Sequence, residues 1–596
     1  MSTVLLLATG ILMPAFCAGN VYDHLMPNYI ADTSVCPHGC AQWASATSNA
    51  TEQAEIDAMW AAGVPPAGAK NICAMPAASA GRDLGDGDYN DIIVNSFAGP
   101  WCYCKGVGPQ YCKLNPKKAN VPQQINLQLA KQDVVVVSFV THEESSQGNF
   151  SKPIAEIQPV EGGAPVKRLP GISHFYGALA KAEHQDYTLH FIKLSGLESG
   201  KSYRYRVRSG SFLAPFSEWF TFRATSYAKQ KPTRLAIYGD MGHSHHNPME
   251  NLGIDCQLQE IDFIVHMGDH AYDLGHANDK RGDAYMNVYQ PTLATCPWLP
   301  IIGNHEANDG DNFNRYLNMT WGEVVGKDMS AIRSTADSAL GELLTKATLF
   351  GTGIHSAVPS NTSRYFSIDV GLIHIVGLDL NRLDVQQLQW LEKDLAAVDR
   401  QATPWIIVSS HFPLYHATVS ANMDKYSAAY YAGDEPEGWA TSGHDFKTVD
   451  EACAAATNDE EPCDRRTIGD MQRQLTSLLN PILEYYKVDI YAAGHVHDYN
   501  SNWPICEGGI CMDDSGVPQT NFNKPRGPVH ICEGNGGVPG VVGESTLTNC
   551  SSEPWCRVHG TGGAYGRIVA QDAHSLTYSH VQNSDGIVTD EFTIKK

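Results

Sequence analysis

The chain has 596 residues, of which 43% are hydrophobic and 18% are charged, and its formal net charge is −23. This length and composition are typical of a folded protein with two or three domains. The negative charge argues against a general nucleic-acid binder, because an acidic surface cannot neutralise backbone phosphates. It does not exclude binding of phosphate compounds, since bound cations can reverse the local electrostatic field.

The first twenty residues predict a secretory signal peptide. Residues 4–16 form an apolar run, and small residues around Ala18 offer a cleavage site, although no Lys or Arg precedes the run. A buried N-terminal helix is the alternative. No later stretch approaches ~20 uninterrupted apolar residues, so we predict no membrane span. We therefore expect secretion, or delivery to a vacuolar or lysosomal lumen.

Cysteines and glycosylation sequons agree with export. Of the sixteen cysteines, Cys17 lies in the predicted signal peptide, and we expect most of the others to form disulfides. A zinc site with cysteine ligands is the weaker alternative, because the sequence has no paired CxxC spacing. We predict N-glycans at some of the five Asn-x-Ser/Thr sequons. These begin at Asn49, Asn149, Asn318, Asn361 and Asn549.

Three regions follow the predicted signal peptide. Residues 21–118 hold six cysteines among Gly-, Pro- and Ala-rich spacers, and they predict a small Cys-rich module with a structural or interaction role. Residues 119–228 contain short alternating runs between turn signals, which predict a β-sandwich that serves as a scaffold or as the surface of a homodimer. Residues 229–596 alternate strand-like apolar runs with helical patterns over 384–398 and 471–485, which predict an α/β domain.

Five polar motifs in the last region each follow a short apolar run. Such runs are typical of buried strands, and the residues just after them lie at strand carboxyl ends, where open α/β sheets place their sites. Two long interruptions between the motifs, residues 307–360 and 417–470, are expected to shape a substrate pocket. The motifs are Gly239–Gly242 (GDMG), Gly268–Tyr272 (GDHAY), Gly303–Glu306 (GNHE), Ser410–Pro413 (SHFP) and Gly494–His497 (GHVH).

The motifs supply seven oxygen and nitrogen donors for metal ions. Each residue alone has an ordinary structural explanation: Asp240 can cap a helix, and His411 can be a satisfied buried histidine. Seven donors are too many for one ion, and they suit two ions that share a bridging carboxylate. The candidate ligands are Asp240, Asp269, Tyr272, Asn304, His411, His495 and His497.

The order of these motifs resembles the purple acid phosphatases, a branch of the calcineurin-like metallophosphoesterases. Tyr272 is the specific feature, because other metallophosphoesterases usually lack a tyrosine at this place. The resemblance covers about residues 122–596 and implies a multi-domain fold. In that fold a fibronectin type III-like β-sandwich, residues 119–228, precedes an α/β metallophosphoesterase domain, residues 229–596, whose two-sheet β sandwich is flanked by helices. The Cys-rich module is not covered.

The resemblance also implies how the ligands divide between two ions, with Asp269 bridging them. Phenolate and carboxylate oxygens suit a hard trivalent ion, whereas imidazoles with a neutral amide suit a divalent ion. Iron(III) is implied at the first site, with the ligands Asp240, Asp269, Tyr272 and His497. Divalent iron, zinc or manganese is implied at the second site, with the ligands Asp269, Asn304, His411 and His495.

The activity implied by the resemblance is that of a secreted acid phosphatase, which hydrolyses phosphate monoesters by attack of a metal-bound hydroxide. His305 is implied to contact the phosphate, together with Asn304, or to protonate the leaving oxygen; support of the metal ligands is the alternative role. Family members carry another substrate-facing histidine nine or ten residues after the histidine of the fourth motif, where this chain has Ser420 and Ala421. His416 lies nearer and is our candidate for that catalytic and substrate-binding role. Its alternative is an ordinary loop histidine.

Two other functions remain open from the sequence. The same metal centre can serve a phosphodiesterase or nucleotide pyrophosphatase, which differs in substrate alone. A binding protein with a dominant Cys-rich module and a vestigial phosphatase domain is the second alternative. The complete set of metal donors argues against it.

Overall fold

The computed structural model describes residues 118–142, 152–176, 187–242, 248–308, 364–417, 475–537 and 546–596, with breaks of one to five residues, and seven short strands before them. The predicted signal peptide, most of the Cys-rich module and nearly all of both long interruptions lie outside these residues, as do four of the five sequons. The short strands are β1 (His24–Leu25), β2 (Tyr29–Ile30), β3 (Cys40–Ala41), β4 (Ala74–Met75), β5 (Trp101–Cys104), β6 (Gly108–Tyr111) and β7 (Lys113–Leu114).

The region after residue 118 begins with two antiparallel β-layers that share one core. Burial alternates along the strand Ser202–Arg208 of the four-stranded layer. Tyr203, Tyr205 and Val207 are buried, whereas the residues between them face outward. This alternation is the pattern predicted for a β-sandwich, whereas the finer likeness to a fibronectin type III fold stays a prediction. The four-stranded layer runs in the order β11 (Lys167–Pro170), β10 (Ile154–Pro159), β14 (Ser202–Arg208) and β15 (Phe220–Arg223).

The second layer of the sandwich continues into the next region as one ten-stranded sheet. Its strand β8 pairs in parallel with β18 at Trp298 and Gln128, so the sheet crosses the predicted domain boundary at residue 228. The sheet runs in the order β12 (Ile172–Tyr176), β13 (Tyr187–Ser195), β9 (Val134–Thr141), β8 (Gln123–Lys131), β18 (Trp298–Ile301), β17 (Phe263–Met267), β16 (Thr233–Tyr238), β29 (Ala564–Ala570), β30 (Ser575–Gln582) and β31 (Val588–Lys595).

An eight-stranded sheet packs against this layer through a shared apolar core. Leu235 and Val265 from the ten-stranded sheet and Ile407 and Ile490 from the eight-stranded sheet are fully buried in it. The second sheet runs in the order β19 (Phe366–Val370), β20 (Ile373–Leu378), β21 (Trp405–Ser410), β22 (Ile490–Ala493), β26 (Val529–Glu533), β23 (Tyr499–Asn502), β28 (Cys556–Thr561) and β27 (Thr546–Asn549). A separate hairpin joins β24 (Ile505–Cys506) to β25 (Gly509–Ile510).

Helices cover the outer faces of the two sheets. Leu391 and Leu395 of the predicted helix 384–398 are buried, and so are Leu479 and Leu483 of the helical segment found at 475–485, within the predicted helix 471–485. Two β-sheets flanked by few helices agree with the predicted catalytic domain. No described helix is both long and apolar enough for a membrane span. The helices are α1 (Met249–Leu258), α2 (Lys280–Leu293), α3 (Asn304–Asn308) and α4 (Val385–Ala397), with a 3-10 turn at Leu380–Arg382.

Three disulfides are formed within the described residues. They join Cys256 to Cys296, Cys506 to Cys511, and Cys550 to Cys556. Cys532 is a buried free thiol in β26. Six of the seven described cysteines of the catalytic region therefore form disulfides, as predicted for most cysteines. Cys453, Cys463 and the pairing in the Cys-rich module fall outside the described residues.

Candidate metal centre

The five motifs follow the carboxyl ends of parallel strands from both sheets. Strands β16, β17 and β18 are parallel neighbours in the ten-stranded sheet, and β21 and β22 are parallel neighbours in the eight-stranded sheet. Parallel strands end at the same edge of their sheet. Because the two sheets pack face to face, the two edges meet, and the ligand loops converge at the seam between them.

The ligand loops have unusual backbone geometry. Asp240, Asp269, Tyr272 and His495 have φ angles of 60°, 52°, 52° and 69°. This left-handed conformation is uncommon for residues with a Cβ, and it concentrates at functional sites because the surrounding structure must hold it in place. Four of the seven candidate ligands therefore occupy positions where local backbone preference is overridden.

Asp240, Tyr272 and His497 form one group of donors. Tyr272 Oη lies 2.9 Å from His497 Nε2 and 3.3 Å from Asp240 Oδ1, and His497 Nε2 lies 3.4 Å from Asp240 Oδ1. Tyr272 is 2% exposed and Asp240 is fully buried. Three elements far apart in sequence thus bring a phenol, a carboxylate and an imidazole to one point. Their assignment to the first ion stays a prediction.

Asp269, Asn304, His411 and His495 form the second group. Asn304 Oδ1 lies 2.8 Å from His411 Nε2 and 3.0 Å from His495 Nδ1. His411 Nε2 lies 3.3 Å from Asp269 Oδ2. One donor atom each from Asp269, His411 and His495 lies within 4.8 Å of the others, a spacing that a single metal ion can span.

The two groups are adjacent. The backbone N–H of His495 donates to Asp240 Oδ2 at 2.7 Å, so a ligand of one group is hydrogen-bonded to a ligand of the other. Backbone N–H groups of Asp240 and Met241 donate to the carbonyls of Gly268 and Asp269. The seven predicted ligands therefore lie in one cluster. The bridging role of Asp269 remains a prediction.

The charges of the cluster suit a cation. Burial raises the pKa of Asp240, more than the nearby His411 and His497 lower it, so its ionised form needs a compensating positive charge. Burial, together with the charge of His411, holds the pKa of His495 well below its usual range, which keeps that imidazole neutral. Carboxylate, phenol and imidazole groups are ordinary metal ligands, so the donor set fits the two implied ions.

Glycines at three motif starts allow this close approach. A Cβ at Gly303 would lie 2.1 Å from Asp269 Oδ1, and a Cβ at Gly494 would lie 2.4 Å from Asp240 Oδ2. At Gly268, which has a φ of 91°, a Cβ would meet the His411 ring at 2.6 Å. These three positions therefore require glycine, because any larger side chain would collide with a candidate ligand or its loop.

His305 lies at the rim of the cluster. Its backbone N–H donates to Asp269 Oδ1 at 3.1 Å, and its ring stacks edge-on against Tyr272 with 4.7 Å between centroids. Its side chain is 22% exposed, and Nε2 lies 3.9 Å from Asp269 Oδ2. A half-exposed imidazole next to the ligands is placed where a bound phosphate could be contacted.

His416 is fully buried and lies against Asp498. His416 Nε2 is 2.6 Å from Asp498 Oδ1, and the other carboxylate oxygen is 2.7 Å from His559 Nε2. The His559 side chain is 24% exposed. Asp498 directly follows the ligand His497, so this His-Asp-His group lies next to the ligand loop. The catalytic role of His416 stays a prediction.

The sequence analysis missed the residues that brace the ligand loops. The fully buried carboxylate of Glu306 accepts the backbone N–H groups of Gly303, Asp269 and His270 at 2.8 to 2.9 Å. Asn381 Nδ2 donates to the carbonyl of Gly303 at 3.1 Å. Glu306 is the last residue of the GNHE motif, so its place in the motif could have indicated it. Asn381 had no such signal.

The sequence matches three families in chain order. Residues 122–224 match the purple acid phosphatase N-terminal domain, residues 233–499 match the calcineurin-like phosphoesterases, and residues 527–591 match the iron/zinc purple acid phosphatase-like protein C family. Together these matches take in most of the chain.

Relatives and a solved structure agree with these matches. The chain is 26% identical over 422 residues to acid phosphatase type 7 of Homo sapiens, an alignment that spans 68% of this chain and 76% of that protein. It is also 26% identical over 428 residues to the probable inactive purple acid phosphatase 27 of Arabidopsis thaliana, spanning 68% of this chain and 57% of that protein. The fold is similar to a purple acid phosphatase from yellow lupin (Lupinus luteus) seeds, with a TM-score of 0.54, 22% identity, and coverage of 83% of this chain and 79% of that chain.

Proposed function

This chain belongs to the purple acid phosphatases, which are acid phosphatases, and from that premise we propose that it hydrolyses phosphate monoesters at a dinuclear metal centre. The observation that carries the proposal is the convergence of Asp269, His411 and His495, from three different strand ends, within 4.8 Å. Some relatives are named inactive, but this chain keeps all seven donors in one cluster. A vestigial domain has no reason to hold four of them at strained backbone angles.

The ligand assignment of the proposal follows the two groups of donors. Tyr272, Asp240 and His497 would hold iron(III), and Asn304, His411 and His495 would hold divalent iron, zinc or manganese, with Asp269 shared. Ions held by these residues would supply positive charge that orients a phosphate, lowers the pKa of a water and stabilises an in-line displacement. The protein therefore needs to supply no nucleophile of its own.

The chain's own residues have three tasks in this proposal. The buried carboxylate of Asp269 stays ionised, because His411 and His305 lower its pKa by more than burial raises it. Glu306 fixes the backbone of the loops that carry Asp269 and Asn304. His305 contacts the phosphate or protonates the leaving oxygen, for which its half-exposed ring at the rim is suitably placed.

The role of His416 is more open, because its ring is fully buried. We propose that His416 and His559 hold the Asp498 carboxylate between them. This contact would position the loop residues on either side of Asp498. A direct catalytic contact by His416 requires a substrate that reaches its buried ring.

Monoester specificity is the finer part of the proposal. The alternative substrate is a phosphodiester or a nucleotide pyrophosphate, hydrolysed at the same centre. Residues that decide this choice are expected in the two long interruptions, which lie outside the described part of the chain. Export, N-glycosylation at the predicted sequons and dimer formation through the sandwich likewise belong to the proposal and rest on the sequence.

The test combines metal analysis with two matched substrates. We expect about two metal ions per chain, and at pH 5 a faster turnover of an aryl phosphate monoester than of its diester. Asp269→Asn should abolish most of the activity and lower the metal content, whereas Asp514→Asn, at a fully exposed carboxylate, should change neither. Faster diester hydrolysis would support the alternative substrate, and a fully metallated chain without turnover would refute the phosphatase.

A further inference from the structure

The outer face of the four-stranded layer carries a row of arginines. In β14 the buried residues of the core alternate with Arg204, Arg206 and Arg208, which point away from the core. Successive residues on one face of a strand lie roughly 7 Å apart. The strand therefore presents three guanidinium groups in a line at regular spacing.

Two aromatic rings lie between these guanidinium groups. Trp219 is 5.0 Å from the Arg204 Cζ and 4.7 Å from the Arg206 Cζ, measured to the ring centroid. Phe216 is 4.3 Å from the Arg206 Cζ and 5.1 Å from the Arg208 Cζ. The result is an alternating stack in the order Arg204, Trp219, Arg206, Phe216, Arg208, here called the arginine ladder.

The segment that carries the rings is fixed to β14. Ser217, which lies between Phe216 and Trp219 in sequence, accepts the backbone N–H of Val207 on its Oγ at 3.0 Å. The backbone N–H of Ser217 donates to the Val207 carbonyl at 2.8 Å. The order of the stack is therefore built into the backbone, and cation–π contacts hold the arginine side chains extended.

Among the described residues around the ladder, arginines outnumber carboxylates. Glu156 on β10 is paired with Arg206 at 2.7 Å and with Arg168 of β11 at 2.8 Å. These hydrogen bonds lower the pKa of Glu156 by more than burial raises it. Glu218, beside Trp219, is exposed. Four arginines thus share this face with two carboxylates, in a chain whose net charge is −23.

We propose that the arginine ladder is a binding surface for a linear anionic polysaccharide with sulfate or carboxylate groups. A stacked guanidinium can pair its remaining N–H groups with an oxyanion. Arg206 already donates its Nε and Nη2 to Glu156, so Arg204 and Arg208, one on each side of it, are the residues that we expect to contact the polymer. Two cationic groups at a fixed spacing match a polymer with repeated anionic groups. Because the aromatic rings already order the arginines, binding loses little side-chain entropy.

Charge complementarity and the absence of an apolar centre favour a polysaccharide over a protein. Stable protein interfaces usually have an apolar centre, whereas this face offers guanidinium edges and aromatic rings already engaged by arginine. A chain with a net negative charge generally repels polyanions. Binding of this chain to a polyanion therefore requires a local cationic surface. The proposal is independent of the phosphatase activity.

The experiment measures the affinity of the full chain for a heparin dodecasaccharide by titration calorimetry at low and moderate salt. We expect binding by the wild type, and a rise in Kd of about tenfold or more for the double variant Arg204→Gln with Arg208→Gln. Tenfold is about the size expected for losing one charge-assisted hydrogen bond, so it is the lower limit for losing two. The control, Lys393→Gln with Lys524→Gln, removes the same charge at exposed positions elsewhere and should change the Kd less than about twofold.

A second variant separates the ladder from simple charge. Trp219→Leu keeps all four arginines but removes the ring between two of them, so we expect weaker binding with unchanged net charge. Unchanged phosphatase activity in each variant shows that the chain is folded. The proposal is overturned if the wild type does not bind at low salt, if the control loses as much affinity as the ladder variant, or if polyglutamate or phosphatidylserine vesicles bind more tightly than the heparin probe.

Discussion

Glu306 holds Asp269 through the backbone: its Oε2 accepts the Asp269 N–H at 2.9 Å. The same carboxylate accepts the N–H groups of Gly303 and His270, so one side chain joins the loops of the second and third motifs. A residue outside the predicted ligand set thereby fixes the positions of two candidate ligands, Asp269 and Asn304. Hydrogen bonds to backbone groups that carry metal ligands are a common means of tuning a metal site.

We predict that Glu306→Gln lowers metal affinity and kcat together. The amide keeps the shape of the side chain but places an NH₂ group against backbone N–H donors, which leaves buried donors unpaired. Changes of this kind cost roughly 10 to 100-fold in metal affinity or activity. Metal content after dialysis and steady-state kinetics measure the effect. Glu392→Gln, at an exposed position of α4, is the control, and equal behaviour of the two variants would contradict the bracing role.

Gly303→Ala should disrupt the second ion site. The new Cβ would lie 2.1 Å from Asp269 Oδ1 and 2.4 Å from its backbone N, so the Asp269 loop must move. We expect loss of one metal ion per chain and a fall in kcat of roughly 100-fold, since small displacements of positioned groups have effects of this size. Gly509→Ala, where no atom lies within 4 Å of the added Cβ, is the matched control. Full metal content in Gly303→Ala would contradict the prediction, because it would show that the Asp269 loop can accommodate the added Cβ.

The ligands could be predicted from the sequence because each follows a short apolar run. The runs that end at Tyr238, Met267 and Ala493 are indeed strands, and the donors come directly after them. The position at which a strand ends depends on the local sequence, so hydrophobic periodicity can indicate it. Strand pairing is not local, so periodicity alone did not show that the five strands belong to two sheets whose edges meet. Only the family resemblance implied a two-sheet sandwich.

The bracing contact of Asn381 and the continuous sheet were not predictable for the same reason. Asn381 reaches Gly303 across 78 positions of sequence, and the pairing of Trp298 with Gln128 joins two regions that the composition separates. The left-handed φ angles of Tyr272 and His495 also oppose local preference. Such features follow from tertiary packing, and functional sites are where local rules are expected to fail.

Tyr272→Phe should remove the visible absorption band that the family resemblance implies for an iron(III) tyrosinate. Phenylalanine keeps the ring contact with His305 but loses the Oη that lies 2.9 Å from His497 Nε2. We expect a colourless protein, measured by visible spectroscopy of the purified chain alongside its iron content. Tyr485→Phe, at a residue that is 78% exposed, should leave the spectrum unchanged. An active wild-type enzyme without iron would refute the iron assignment.

Removing His305 and removing His416 should slow turnover in different ways when esters with different leaving groups are compared. Loss of a proton donor slows esters with poor leaving groups most, by roughly 100-fold, so His305→Asn should affect an alkyl phosphate far more than an aryl phosphate. His416→Asn should lower the Tm, because it breaks the buried contact with Asp498, and should slow both esters equally. A selective loss of alkyl phosphate turnover in His416→Asn would instead make His416 the catalytic residue.

The stability of the eight-stranded sheet should depend on the protonation of His374. Its ring lies 2.6 Å from Asp369 Oδ1 and 3.0 Å from Asp394 Oδ2, and Asp394 lies on α4. Burial alone would lower the pKa of His374, but the two carboxylates outweigh it and raise the pKa from 6.5 to about 9. The folded chain therefore binds this proton more tightly than the unfolded chain. The resulting stabilisation is complete below about pH 6.5 and is lost as the pH rises through about 9.

We expect this stabilisation to be on the order of 2 kcal/mol, and its loss to lower the Tm of the wild type by a few degrees between pH 7 and pH 9.5. His374→Gln should have a lower Tm at pH 7 and a flatter dependence on pH, because it has no proton to lose in this range. His574→Gln, at an exposed histidine, should follow the wild type. Calorimetric scans of the three chains at matched ionic strength make the comparison, and parallel curves for His374→Gln and the wild type would refute the link between α4 and the proton on His374.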